Sequence, residues 1–147
     1  MNNHFSYSEA RSNFKTLFDA VEEGNVAVVE RRGSRPLALI DRAEADSLLS
    51  EKFPFEPEVS FAKAMGGKGK SATSAVAMWL PNLPVHSDGA DFQEAAENLV
   101  EALIDYAELW EAELRHAPNH AGNLGWVRRV QLFSPNRQDV RKLLFSE

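Results

Sequence analysis

Apolar positions recur at helical spacing in some stretches of the chain and alternate in others, and this pattern draws most of the elements. Ser6-Tyr7-Ser8-Glu9 has the spacing of a capping box, in which a serine hydroxyl accepts a first-turn N–H. Ala10, Phe14, Leu17, Phe18 and Val21 then form one helical stripe, which Gly24-Asn25 ends with residues that tolerate positive φ. Val26-Ala27-Val28-Val29 predicts a strand, Arg32-Gly33-Ser34 a turn and Leu37-Ala38-Leu39-Ile40 a second strand, giving a hairpin. Asp41 and Glu44 frame another capping box, opening a helix that runs through Leu48 and Leu49. The first fifty residues therefore read as helix, hairpin, helix. A unit of roughly 50–60 residues buries little alone, so a second copy is the economical cover for its apolar face.

Glu51 to Pro57 reads as a proline-punctuated link, and Val59-Ser60-Phe61-Ala62 as a short strand. Ser74 to Leu80 alternates and predicts a strand, Pro81-Asn82-Leu83-Pro84 a tight loop and Asp88-Gly89 a turn. Asp91 with Glu94 caps a long helix whose inner face is Phe92, Ala95, Leu99, Leu103, Tyr106, Trp110 and Leu114. Pro, Asn and Gly break the pattern between Ala117 and Gly125. Trp126 to Phe133 predicts a strand, and Ser134-Pro135 the start of a final helix. The fold class is α/β in the broad sense (α+β), with a module at 1–50, a link at 51–57 and a second module at 58–147. Trp79, Trp110 and Trp126 fall in apolar-patterned segments and are expected in the core.

A hydrophobic content of 44% over 147 residues fits a folded chain, and the absence of cysteine excludes disulfides and thiolate metal sites. No leader pattern opens the chain and no run approaches the ~18 apolar residues that span a bilayer, so the expectation is a cytoplasmic protein with no membrane partner. The net charge of −6 opposes indiscriminate attraction to nucleic acid. Its distribution is more informative. Asp88 to Glu113 holds nine acidic residues and no Lys or Arg, whereas Arg31, Arg32 and Arg35 crowd one turn. An acidic face and a basic turn suggest two different partners.

Chemistry-bearing motifs are few. Gly69-Lys70-Ser71 ends a near match to a phosphate-binding loop, but Ala64 stands where the first glycine belongs and no helix pattern follows, so the motif is rejected. His116 and His120 are four apart but flank Pro118, which spoils the helix that would align them on a metal, and loop-exposed histidines are the better expectation. No catalytic residue, cofactor or metal ligand is assigned.

Residues 6–11, Val28-Val29-Glu30-Arg31-Arg32-Gly33 and Pro36 to Ile40 together resemble the Phd/YefM family of antitoxins over about residues 3–50, with Glu30 replacing a commonly small or β-branched residue. The resemblance implies a homodimer that binds operator DNA and represses its own operon. It places DNA contacts on Arg11 and Arg31, with Ser8, Arg32 and Arg35 beside them. Trp79 to Pro84, Asp88-Gly89 and Phe92 to Ala95 resemble a HicB-type antitoxin domain over about residues 58–115. That resemblance implies a toxin-masking α+β domain, and the acidic helix offers Asp91, Glu94, Glu97, Glu101, Asp105 and Glu108 as the toxin-binding face. The partner implied is a RelE/YoeB-, Doc- or HicA-type toxin. An autonomous dimeric repressor with a partner- or ligand-sensing second domain is the alternative, and an adjacent toxin reading frame separates the two.

Overall fold

The computed structural model describes residues 3–64 and 73–145. The chain divides into two compact units, Met1–Leu48 and Leu49–Glu147. The rejected Gly69-Lys70-Ser71 motif lies outside the described residues.

In the first unit Ser6 Oγ accepts the Glu9 N–H at 3.1 Å, the expected cap, and α1 (Tyr7–Ser12) starts there. The single helix expected next is two. Asn13 takes φ −125° and ψ 45°, and α2 (Phe14–Glu22) begins beyond it. The Asn13 side chain makes no cap bond to α2, and the break in backbone geometry redirects the apolar stripe. Ala10, Leu17 and Ala20 are buried, while Phe14 and Phe18 remain 57% and 49% exposed. Gly24, at φ +96°, ends α2 as anticipated.

The hairpin forms from β2 (Ala27–Glu30) and antiparallel β3 (Leu37–Leu39), with Ala27 opposite Leu39. A further strand, β1 (His4–Ser6), lies parallel to β2 on its other side. Three residues are too few for a periodic signal, so pattern alone missed it. Its parallel pairing needs the crossover that α1 and α2 supply. Asp41 caps α3 (Arg42–Ser50), accepting the Glu44 N–H at 3.1 Å. The core of this unit is Ala10, Leu17 and Ala27, with Phe5, Val21 and Val29 packed on it.

The second unit is built on a meander of β4 (Glu58–Ala64), β5 (Thr73–Leu80) and β6 (Val85–Gly89). The β6 strand was not anticipated, since Asp88-Gly89 read as a turn. Its five residues carry only Val85 as a strong apolar signal. Alternation in β5 turns Val76, Met78 and Leu80 inward, and Trp79 therefore lies on the exposed face, contrary to expectation.

One face of the sheet carries α4 (Phe92–Leu109), capped by Asp91, whose Oδ1 accepts the Glu94 N–H at 2.8 Å. Ala95, Ala96, Leu99, Val100 and Leu103 bury along it, whereas Phe92 stays 43% exposed. The helix starts close against β6. A Cβ on Gly89 would lie 2.5 Å from the Ala95 nitrogen, Ser87 Oγ donates to the Ala95 carbonyl at 2.8 Å, and Asn98 donates to the Asp88 carbonyl at 2.9 Å.

A π-helical turn, Trp110–Leu114, continues α4, and a 3-10 turn, Ala121–Asn123, follows. Buried Trp110 donates its indole N–H to the His120 carbonyl at 2.7 Å. The Tyr106 hydroxyl accepts from Asn123 at 2.8 Å, which leaves its proton for His120 Nδ1 at 2.9 Å. His120 is thus half-buried and held, not the free loop histidine expected.

Residues 124–133 correct the sequence reading most. They form α5 (Leu124–Phe133), not a strand. Val127, Val130 and Phe133 keep a spacing of three, which serves one helical face, and the β-branched residues misled. Gly125 lets the Phe53 ring approach, since an added Cβ would meet it at 2.2 Å. Trp126 donates to the Pro54 carbonyl at 2.9 Å and packs edge-on against Phe53, and buried Arg129 donates to the Phe53 carbonyl at 2.8 Å. Residues 53–55, read as link, are in this way fastened to the second unit. The last helix, α6 (Arg137–Leu144), starts after Asn136, which caps it by accepting the Asp139 N–H, and so begins beyond Pro135.

Leu99 has no exposed surface at the α4–sheet contact. Replacing it with alanine should cost about 2–5 kcal/mol in urea unfolding, as buried leucines do. Gly89→Ala should cost about 1–3 kcal/mol, because the atoms it meets are backbone. Wild-type stability for Gly89→Ala would contradict the close seam.

Candidate functional site

Two oppositely charged surfaces emerge, one in each unit. In the first, the Ser34 N–H bonds the Arg31 carbonyl at 3.0 Å and Gly33 sits at φ +83°, so the β2–β3 connection is tight. Arg31, Arg32 and Arg35 stand exposed around it. The Arg31 guanidinium lies 4.8 Å from the centroid of the Tyr7 ring, which ties the turn to the start of α1. An open hollow of about 690 Å³ forms here, with Ser6 and Glu9 from the α1 end and Glu30, Arg31, Arg32 and Ser34 from the turn. Ser8, Arg11 and Arg35 are exposed and do not line it. The hollow therefore gathers Arg31 and Arg32, while Arg35 stands exposed on the same turn and Ser8 and Arg11 stand exposed on α1 outside it.

Two carboxylates, Glu9 and Glu30, share that hollow, and His4 Nδ1 lies 3.9 Å from Glu30. Residues 1–48 hold six Lys or Arg against eight Asp or Glu. Any attraction for an anion must come from local clustering of arginines and not from the charge of the unit. Arg11, Arg32 and Arg35 make no ion pair among the described residues, so their charge faces solvent.

The second surface is the outer side of α4. Glu94, Glu97, Glu101, Asp105 and Glu108 follow spacings of three and four and share one exposed stripe. At ~1.5 Å per residue the stripe is about 21 Å long. The six sequence candidates differ in what holds them. Asp91 is occupied as the helix cap. Glu97 accepts from the Gln93 amide at 3.1 Å, and Glu101 lies 3.6 Å from Arg137. Glu94, Asp105 and Glu108 make no ion pair among the described residues.

Glu111, outside the predicted set, is the most tightly held acid of this region. Arg128 and Gln131 both donate to its Oε1, and Arg115 reaches Oε2 at 3.2 Å. These donors keep its carboxyl below the usual carboxylate range, Arg128 most of all. Arg115 and Arg128 also lie over the Trp110 ring, at 5.9 and 5.7 Å respectively. Sequence reasoning also missed the apolar ground beside the stripe, where Ile104, Ala107 and Ala112 floor an open hollow of about 430 Å³. Only Ile104 carries a strong apolar signal in the sequence. No group of three or more residues suited to hold a metal ion occurs among the described residues, and no helix there is long and apolar enough to cross a membrane.

A small α+β chain with a basic turn in one unit and an acidic helix in the other has the makings of a regulatory binding protein. Its fold is similar to that of a Syntrophomonas wolfei protein provisionally described as the antitoxin part of a toxin/antitoxin system. The TM-score is 0.64 at 21% identity, over 100% of this chain and 99% of that one. No curated protein matches. The PHD-like family, described as antitoxin of toxin–antitoxin, RelE/RelB, TA system, matches residues 1–145, and the chain belongs to it. Membership implies a cognate toxin as partner.

Because the folded pKa of Glu111 is lowered, its contribution to stability is fully present above the ordinary carboxylate pKa. It is lost as pH falls through the lowered value. Arg128→Ala should move the Glu111 carboxyl back up toward the ordinary range in an NMR titration. An unchanged midpoint would show that Arg128 is not the cause.

Proposed function

We propose that this antitoxin works as a homodimer that represses its own operon by binding operator DNA through Arg11 and the Arg31–Arg35 turn. It neutralises its toxin with the second unit, through the acidic face of α4. The observation that carries the reading is local: three exposed arginines cluster at the β2–β3 turn of the first unit, and carboxylates line one stripe of α4 in the second. Each surface suits one of the two partners an autorepressing antitoxin needs. Toxins that act on RNA need cationic surfaces, and an acidic helix complements one and speeds encounter.

The dimer is supported by what the first unit leaves uncovered. Phe14 and Phe18 have ring centroids 6.1 Å apart, and both are about half exposed, while Leu37 is 69% exposed. Apolar surface of this extent beside so small a core favours burial against a copy. A helix–hairpin–helix core at residues 1–50 supports a Phd/YefM-like module, and β4-β5-β6 followed by α4 supports a HicB-like second domain. Among candidate toxins a RelE/YoeB type is favoured over Doc or HicA types, because the family description names the RelE/RelB pair. The role is one of binding and needs no cofactor.

Co-expression with the product of the neighbouring gene should relieve its toxicity and yield a stable complex. The full chain should bind its own promoter with salt-dependent affinity. Arg11→Ala with Arg31→Ala should weaken that binding and lower the salt slope by about one per phosphate contact removed. Wild-type affinity and slope would overturn the DNA face. Phe14→Glu with Phe18→Glu should give monomers in sedimentation, and an unchanged dimer would place the interface elsewhere.

A further inference from the structure

The hollow beside the acidic stripe has a chemistry that the stripe alone lacks. Its floor is apolar, from Ile104 and Ala107 on α4 and Ala112 on the π-helical turn, and its volume is about 430 Å³. Gln131 and Ser134, at the end of α5, form the opposite wall. Leu109, next to the hollow in sequence, is 45% exposed. The rim carries Glu108 and Glu111. Glu111 is engaged by Arg128 and Arg115, whereas Glu108 and Asp105, one turn before it, have no ion pair among the described residues. An apolar seat thus opens beside one uncompensated carboxylate, Glu108, with a second, Asp105, one turn before it on the acidic stripe.

We infer that this hollow takes an apolar side chain from a cationic segment of the toxin, with a neighbouring Lys or Arg meeting Glu108 and Asp105. The inference rests on the toxin-binding role proposed above and places the anchor within it. Charge selects the occupant. A second copy of the same hollow would set Glu108 and Asp105 against themselves, and nucleic acid would be repelled. A cationic amphipathic segment satisfies floor and rim together. Binding energy concentrates where an apolar anchor enters a pocket and charged groups exclude water around it.

The test uses the purified full chain and the purified product of the neighbouring gene. Ala112 is exposed, so Ala112→Trp fills the hollow without entering the core. It should weaken the complex about tenfold or more with the salt dependence unchanged. Asp105→Lys with Glu108→Lys should weaken it comparably at low salt and flatten the salt dependence. Hydrogen exchange on the unmodified complex, which needs no variant to fold, should show new protection at residues 104–112 and 131–134. A wild-type complex protected only elsewhere, or one untouched by both variants, overturns this inference and leaves toxin binding standing. Failure of the wild-type chain to bind the neighbouring product overturns both.

Discussion

The seating of α4 on β6 is the contact from which the larger unit is organised. It depends on Gly89, where a side chain would strike the Ala95 nitrogen at 2.5 Å. With that space open, Ser87 and Asn98 bridge strand and helix by hydrogen bonds, and small Ala95 and Ala96 let the backbones approach. Leu99, Val100 and Leu103 then meet Val76, Met78 and Val85 in the main core. The helical period that turns these residues inward turns Glu94, Glu97, Glu101, Asp105 and Glu108 outward. Core and candidate toxin surface are consequently two faces of one constraint, and a helix rotated by one residue would spoil both.

The two units divide burial unequally. The second collects seventeen buried residues in its core, while the first has three with three half-buried neighbours. A unit so poorly filled has little margin alone, since folding leaves only a small surplus over the entropy of ordering the chain. Cation–π contact between Arg31 and Tyr7 and the short parallel β1–β2 pair add local order but little apolar area. The half-exposed phenylalanines of α2 are what remains for a partner to cover. Stability of the first unit and association are on this reading one equilibrium.

Sequence revealed an element wherever a cap, a turn and a period agreed. Ser6, Asp41 and Asp91 mark helix starts because a short polar side chain accepts a free first-turn N–H, a local bond that needs no tertiary contact. The strands β2, β3, β4 and β5 were legible for the same local reason. What escaped was tertiary. The three residues of β1 form a strand only because β2 lies beside them. The α5 segment is rich in residues that favour strands, and its helix is selected by packing of Phe53 on Gly125 and Trp126. Trp79 illustrates the same limit: alternation identified the strand but not which face would be covered. At the candidate sites, the charges were legible and their partners were not. Asp91, read both as the helix cap and as a toxin-face acid, has its Oδ1 engaged as the cap.

That sorting bears on why the acids stand where they do. Glu101, Asp105, Glu108 and Glu111 stand three and four residues apart along the helical run from Phe92 to Leu114, and like charges at that spacing cost about 0.2–0.5 kcal/mol a pair, so a Lys or Arg among them would help. The last turn of α4 has no basic residue. Glu111 escapes the cost by drawing in Arg115 and Arg128 from its own turn and from α5. Asp105 and Glu108 have no such relief, and Leu109 beside them is left half in water. A sequence tuned for stability alone would place lysine at those positions. Local rules are broken at low cost mainly where function requires it. An uncompensated acidic run beside an apolar hollow is therefore better explained by a cationic partner than by solubility, which acids interspersed with lysines would serve equally well.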